Sequence, residues 1–185
     1  MEINSQNLIL TFVTSFFFTA FFVFFHNFIK IYIKSPDGPQ KIHEGTIPRL
    51  GGLSIFLTLF IFVLYNSSLE NYLFLKFSII SFPVFIFGLF EDITQSISPK
   101  LRLLGSFLSG VLFILILEST IKSVGIFFID NFLTYELASI LFTIICIVYL
   151  IQAFNIIDGL NGLSLLSAIL MLLSISYISY NLEDK

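Results

Sequence analysis

The residues able to do chemistry are concentrated in three short runs. Gly88-Leu89-Phe90-Glu91-Asp92-Ile93-Thr94 sets two carboxylates side by side. Asn155-Ile156-Ile157-Asp158-Gly159-Leu160-Asn161-Gly162 places a further acid between two amides. Upstream, Lys41, His43 and Arg49 lie in a segment punctuated by Pro36, Pro39, Pro48, Gly51 and Gly52, the composition of an irregular loop. Carboxylate and amide oxygens suit a hard divalent cation, and Mg²⁺ takes one or two carboxylates together with substrate phosphates. A zinc site is a poor fit, because His26, His43 and Cys146 are the only thiolate or imidazole ligands. Lys41, His43 and Arg49 are donors suited to phosphate oxygens. The combined chemistry is that of a metal-bound phosphate compound.

Each run also has a local explanation. Lys30 and Lys34 fit a topology anchor beside anionic lipid headgroups. For Lys41, His43 and Arg49, composition leaves anchoring and phosphate contact equally open. Gly51-Gly52 permits either close helix packing or close approach of a ligand to the backbone. Asn161 suits the N-cap of a following helix, and Asp158-Gly159 suits a turn. These local readings do not explain why acids recur at the C-terminal ends of two apolar segments. The helix dipole disfavours a carboxylate there by about 0.3–1 kcal/mol when exposed. Nor do Glu91 and Asp92 serve as caps of the next helix, since Ser98-Pro99 supplies the favoured N-cap and first-turn pair. A solvated loop with ordinary interfacial screening is the alternative for Glu91 and Asp92; a bound cation resolves both conflicts. Asn155 and Asp158, three apart, share one helix face toward it.

The elements that must position these groups are apolar. Hydrophobic residues make up 57% of the chain and charged residues 11%, against about a quarter charged in a soluble domain. Apolar segments at Leu8–Phe28, Leu50–Tyr65, Leu73–Phe90, Leu103–Leu117, Leu137–Phe154 and Leu163–Tyr180 approach the ~17–25 residues a membrane-crossing helix needs. The second and fourth are short and are expected to extend into flanking polar residues. The expected fold is all-α, a polytopic transmembrane helix bundle of about six spans, with residues 1–185 as a single transmembrane domain. Pro83 is expected to kink the third span, where neighbouring helices tolerate it. A cleaved leader is the weaker expectation for the first segment, since Met1–Asn7 lacks Lys and Arg and no A-x-A-like site follows. A net charge of −3 excludes a broadly basic nucleic-acid-binding surface. The single cysteine, Cys146, has no partner for an intramolecular disulfide.

Lys30, Lys34, Lys41, Arg49, Lys100 and Arg102 fall in alternate loops, whereas the remaining loops hold only Lys122, with Lys185 on the tail. Lys76, near the end of its span, can snorkel. The positive-inside rule therefore places 31–49, 91–102 and 155–162 in the cytoplasm and both termini outside. On that topology all three polar runs share one side of the bilayer.

Taken together, the run from Lys41 to Gly52, Gly88 to Asp92 and Asn155 to Gly162 resemble the polyprenyl-phosphate N-acetylhexosamine-1-phosphate transferases. Pro48-Arg49-Leu50-Gly51-Gly52 looks more like the WecA branch than the MraY branch. The resemblance implies transfer of N-acetylhexosamine-1-phosphate from a UDP-sugar to undecaprenyl (polyprenyl) phosphate. This would be the first step of lipid-linked cell-envelope polysaccharide synthesis, at the cytoplasmic face of a bacterial inner membrane. It implies Mg²⁺ held by Asp92 and Asp158, with Glu91, Asp92 and Asp158 as catalytic residues. Lys41, His43, Arg49, Asn155 and Asn161 would be substrate-binding residues. The family commonly has Asp-Asp where this chain has Glu91-Asp92, and a second Asp where it has Asn161. Glu keeps the charge and Asn keeps an oxygen ligand. Family members continue into another acidic motif and a His-rich loop, so the chain resembles an N-terminal half. The alternative expectation is a non-catalytic remnant, or one half of a split enzyme whose second polypeptide carries the rest. A small transporter ranks behind both, because polar residues at membrane depth are sparse.

Overall fold

Runs of Phe, Leu and Ile leave the backbone one economical way to satisfy its polar groups in an apolar solvent, the helix. The computed structural model describes residues 5–29, 50–65, 72–94, 97–157 and 163–183; among them are seven α-helices and no strand. These are α1 (Ser5–Ile29), α2 (Gly51–Tyr65), α3 (Tyr72–Thr94), α4 (Pro99–Leu117), α5 (Phe127–Leu133), α6 (Glu136–Ile157) and α7 (Leu163–Glu183). The expected all-helical membrane fold is therefore what forms. α3, α4, α6 and the Leu163–Asn181 part of α7 are long and apolar enough to cross a membrane. α1 over Ile9–Phe25, and α2, are shorter apolar helices. The apolar segments of the sequence correspond to α1–α4, α6 and α7. The remaining helix, α5, is only 7 residues long and gives no spanning signal.

Helix ends follow local chemistry. α4 extends into polar sequence as expected, with Ser98 at the N-cap in extended conformation and Pro99 in the first turn. The Ser98 side chain makes no capping bond; instead its carbonyl accepts from the Leu101 and Arg102 amides at 2.9 and 3.4 Å. α3 is helical on both sides of Pro83. α2 keeps to Gly51–Tyr65, without the expected polar extension in the described residues.

The chain divides into two compact units, Met1–Val148 and Tyr149–Lys185. In the first, much of what is buried is small and polar. Ser54, Ser106, Ser109, Ser139 and Thr143 are all at most 2% exposed, whereas Phe12, Phe16 and Leu115 are 68% exposed or more. That is the reverse of a water-soluble core. It suits a lipid solvent, where small residues let helix backbones approach and large apolar side chains face acyl chains. Thr19 of α1 donates to the Ser54 hydroxyl of α2 at 3.1 Å. α2 packs on α3 through Phe56 stacked on Phe85 at 3.9 Å and Phe62 edge-on to Phe74 at 4.8 Å. α4 meets α6 where Gly110 faces Ile144; a Cβ on Gly110 would lie 3.2 Å from the Ile144 side chain. In the second unit, Ser174 and Asn181 of α7 bond back to the Leu170 and Tyr177 carbonyls, which hides their polar groups from lipid.

The segment between α4 and α6 is ordered by side chains. Ser139 donates to the Ile121 carbonyl at 2.8 Å, and the Ile121 amide donates to Thr143 at 2.9 Å. Asp130 accepts from the Val124 amide at 2.7 Å and from the Ser123 hydroxyl at 2.9 Å. Gly125 between them takes φ +78°, a conformation glycine adopts without a Cβ penalty. The Val124 amide, ahead of the Ser123 hydroxyl, holds the Asp130 carboxyl below its ordinary value of 3.8. A depressed carboxyl stabilises the fold above its unfolded-state pKa and loses that contribution as pH falls through the folded value. The tie is therefore intact through neutral pH and loosens only in acid below 3.8. Asp130→Ala is expected to speed hydrogen exchange at the Val124 amide and to leave exchange within α4 unchanged, measured by mass spectrometry in detergent.

Candidate functional site

The α3–α4 hairpin carries Glu91 and Asp92, two of the sequence-predicted site residues that the structure describes. Its two helices are antiparallel and connect through residues 95–98. Gly105 sets how closely they approach. A Cβ there would stand 2.6 Å from Phe87 Cδ2 and 3.3 Å from Phe87 Cβ, so α4 comes against the ring at a position only glycine can occupy. Glu91 follows Phe87 by four residues and Arg102 precedes Gly105 by three. Those spacings keep both on the contact faces, displaced toward the connecting turn. Thus two groups of opposite charge flank the turn end of one helix pair.

Glu91 and Asp92 occupy the last turn of α3, as the sequence implied, and both are half-buried. Their position against the helix dipole is unfavourable without a cation. Glu91 Oε2 is buried and has no hydrogen-bond partner, and so is Arg102 Nε. A buried polar atom left unmade costs about 1–3 kcal/mol, more when charged. A carboxylate oxygen is satisfied by a cation or a donor, and a guanidinium N–H by an anion. Orphans of both kinds at one end of a hairpin fit a ligand carrying both signs. A phosphate compound with a divalent cation is such a ligand. Gly88, one turn before Asp92, has nothing within 4 Å of where a Cβ would stand, so α3 offers open backbone beside the acids.

Arg102 enters the sequence analysis only as a marker of membrane orientation. The burial of its unpartnered Nε makes it a candidate site residue as well. The available signal was its place in the first turn of α4, a few residues from the acidic pair. Among the described residues, no group of three or more His, Cys, Asp or Glu gathers as a metal cage. The two α3 carboxylates nevertheless match the one or two that Mg²⁺ takes when phosphates and water complete its shell, so the donor set fits the ion.

Asn155 lies exposed in the last turn of α6, within the Tyr149–Lys185 unit. Lys41, His43, Arg49, Asp158 and Asn161 lie outside the described residues. Gly51 and Gly52 open α2 with nothing within 4 Å of either potential Cβ; tight packing between the described helices is not what these two glycines serve.

The sequence profile of glycosyl transferase family 4 matches residues 74–185, which contain all of α4 and all but the first two residues of α3. An undecaprenyl-phosphate alpha-N-acetylglucosaminyl 1-phosphate transferase from Thermotoga maritima is 30% identical over 150 residues, covering 80% of this chain and 43% of that protein. Proteins of the same name from Salmonella typhi and Salmonella typhimurium are each 29% identical over 151 residues, covering 80% of this chain and 40% of theirs. The chain thus spans less than half the length of these curated relatives. No solved structure matches. With a helical membrane fold, an acidic α3 terminus and a profile match running across both hairpin helices, the chain belongs to glycosyl transferase family 4.

Proposed function

We propose that the protein transfers N-acetylhexosamine-1-phosphate from a UDP-sugar to polyprenyl phosphate at the cytoplasmic face of the membrane. The observation that carries this reading is the α3–α4 turn end, where buried Glu91 and Arg102 atoms of opposite sign lack partners beside Asp92. Family membership and the names of the Thermotoga and Salmonella relatives support the same chemistry.

In the proposed reaction, a phosphate oxygen of the lipid attacks the sugar-attached phosphorus of the donor, and UMP leaves. Two anionic phosphate groups must be brought together, so the work is positioning and charge neutralisation. Asp92, with Asp158 beyond the described residues, would hold Mg²⁺, whose contribution when bound is to neutralise the diphosphate. Arg102, in the first turn of α4, would donate to a phosphate oxygen, for which its fixed fork is suited. Lys41, His43 and Arg49 add donors from the preceding loop, and Asn155 and Asn161 supply neutral polar contacts. Glu91 keeps negative charge beside Asp92 and favours the cation-bound state. The distribution of cations among the loops supports a cytoplasmic placement of this end, with both termini outside.

Purified protein given UDP-N-acetylglucosamine, undecaprenyl phosphate and Mg²⁺ is expected to release UMP. Release by the chain alone indicates a self-sufficient site. Release only on co-expression with sequence matching the rest of the relatives indicates a site shared with a second polypeptide. No release in either arrangement from folded protein rejects the activity.

A further inference from the structure

The end of the first unit away from the α3–α4 turn carries an apolar surface that the phosphate chemistry does not use. α5 buries one face and presents the other. Leu133 is 2% exposed, whereas Phe127, Phe128 and Phe132 are 73%, 83% and 61% exposed. These rings are not on a loose loop. Asp130 ties α5 back to Ser123 and Val124, and Ile121 is fastened to Ser139 and Thr143 of α6. The fold spends its local hydrogen bonds on holding an aromatic face outward.

The depth of α5 follows from its neighbours. At 1.5 Å per residue α4 is roughly 28 Å long, close to the ~30 Å hydrocarbon layer, and α6 is also long enough to span. α5 lies in the link between these two helices, and Glu118, Lys122 and Glu136 bracket it with charge. Such charges belong at the polar boundary, so α5 is confined to the interfacial layer. Leu115 at the end of α4 and Leu137 at the start of α6 are likewise exposed, at 68% and 70%, and face lipid if the two helices span.

We propose that α5 is an interfacial lipid anchor, with Phe127, Phe128 and Phe132 inserted at the headgroup–acyl boundary of the leaflet opposite the α3–α4 turn. Lys122 sits at the level of the lipid phosphates. The inference rests on the spanning helices alone and stands whether or not the transferase reading does. Interfacial anchors set the tilt and height of the helices they flank. α5 thereby fixes α4, whose other end carries Arg102.

The chain contains no Trp, so one introduced indole reports one position. Phe127→Trp and Phe128→Trp variants of the full chain would be reconstituted in phosphatidylcholine vesicles brominated either near the headgroup or near the acyl terminus. Shallow bromines are expected to remove about half the emission or more, and deep bromines much less, as for a ring held ~5–10 Å into the boundary. Aqueous iodide is expected to quench weakly. Circular dichroism matching the parent protein establishes that each variant is folded. The proposal is overturned if neither folded variant is quenched by shallow bromines. Iodide quenching would then show that water covers the face, and resistance to both quenchers would show that protein covers it.

Discussion

Replacing Asp92 by Asn is expected to lower UMP release by about a hundredfold or more, the scale of removing one preorganised charge from a transition-state site. Asn keeps the shape of the side chain and one oxygen, so the loss isolates the charge. Asp92→Glu, which restores it on a longer arm, is expected to recover part of the rate. Glu91→Gln should lower activity as well, with a second signature. Glu91 stands at the negative pole of α3 with a buried, unpartnered oxygen. Neutralising it removes a conflict with the dipole of about 0.3–1 kcal/mol, so the apo protein is expected to melt at the same temperature or slightly higher. A residue kept only for structure would give the opposite sign. Turnover unchanged in both Asp92→Asn and Glu91→Gln would exclude the acidic pair from the chemistry.

The second large effect is predicted at a residue that touches no substrate. Gly105→Ala places a methyl group against the Phe87 ring, where the nearest separation would be 2.6 Å. Overpacking of this kind typically costs about 1–3 kcal/mol. The Phe87 ring must turn aside, and α3 and α4 must part by a few tenths of an ångström, since Phe87 Cβ is also close, at 3.3 Å. The displaced groups one turn away are Glu91 and Arg102. A shift of about 1 Å at a reacting centre can cost about a hundredfold in rate. Gly105→Ala is therefore expected to reduce both thermal stability and UMP release, and Gly105→Leu to reduce them further. Truncating the opposing ring tests the cause. Phe87→Ala combined with Gly105→Ala should be less damaged than the sum of the single variants, with a coupling of about 0.5–3 kcal/mol as found for residues in contact. Strict additivity in thermal unfolding would remove Phe87 from the explanation.

These two predictions draw on different kinds of information. The position of Glu91 and Asp92 at the end of a helix was legible from Glu91-Asp92 and Ser98-Pro99 alone, because helix polarity and capping are local properties of the chain. The apolar segments were legible for a similar reason. In an apolar solvent each backbone group must be satisfied within its own helix, so a run such as Leu137–Phe154 forms a helix wherever its neighbours lie. Lys41, His43, Arg49, Asp158 and Asn161 rest on the sequence, since the described residues do not include them.

Tertiary structure decided what depends on contacts between distant positions. Nothing local to Gly105 or Phe87 indicates that they touch, yet that contact fixes the register that brings Glu91 and Arg102 to one end. Arg102 reads in sequence as an orientation charge; the burial of its unpartnered Nε is a property of the folded hairpin. α5 carries too few residues for a spanning signal, and its orientation comes from Asp130, Ser139 and Thr143 acting across the fold. Helices in this protein are determined by a solvent that makes every hydrogen bond local. The approach of α4 to α3 at Gly105 and the orientation of α5 come from contacts between separated positions, which sequence spacing does not encode.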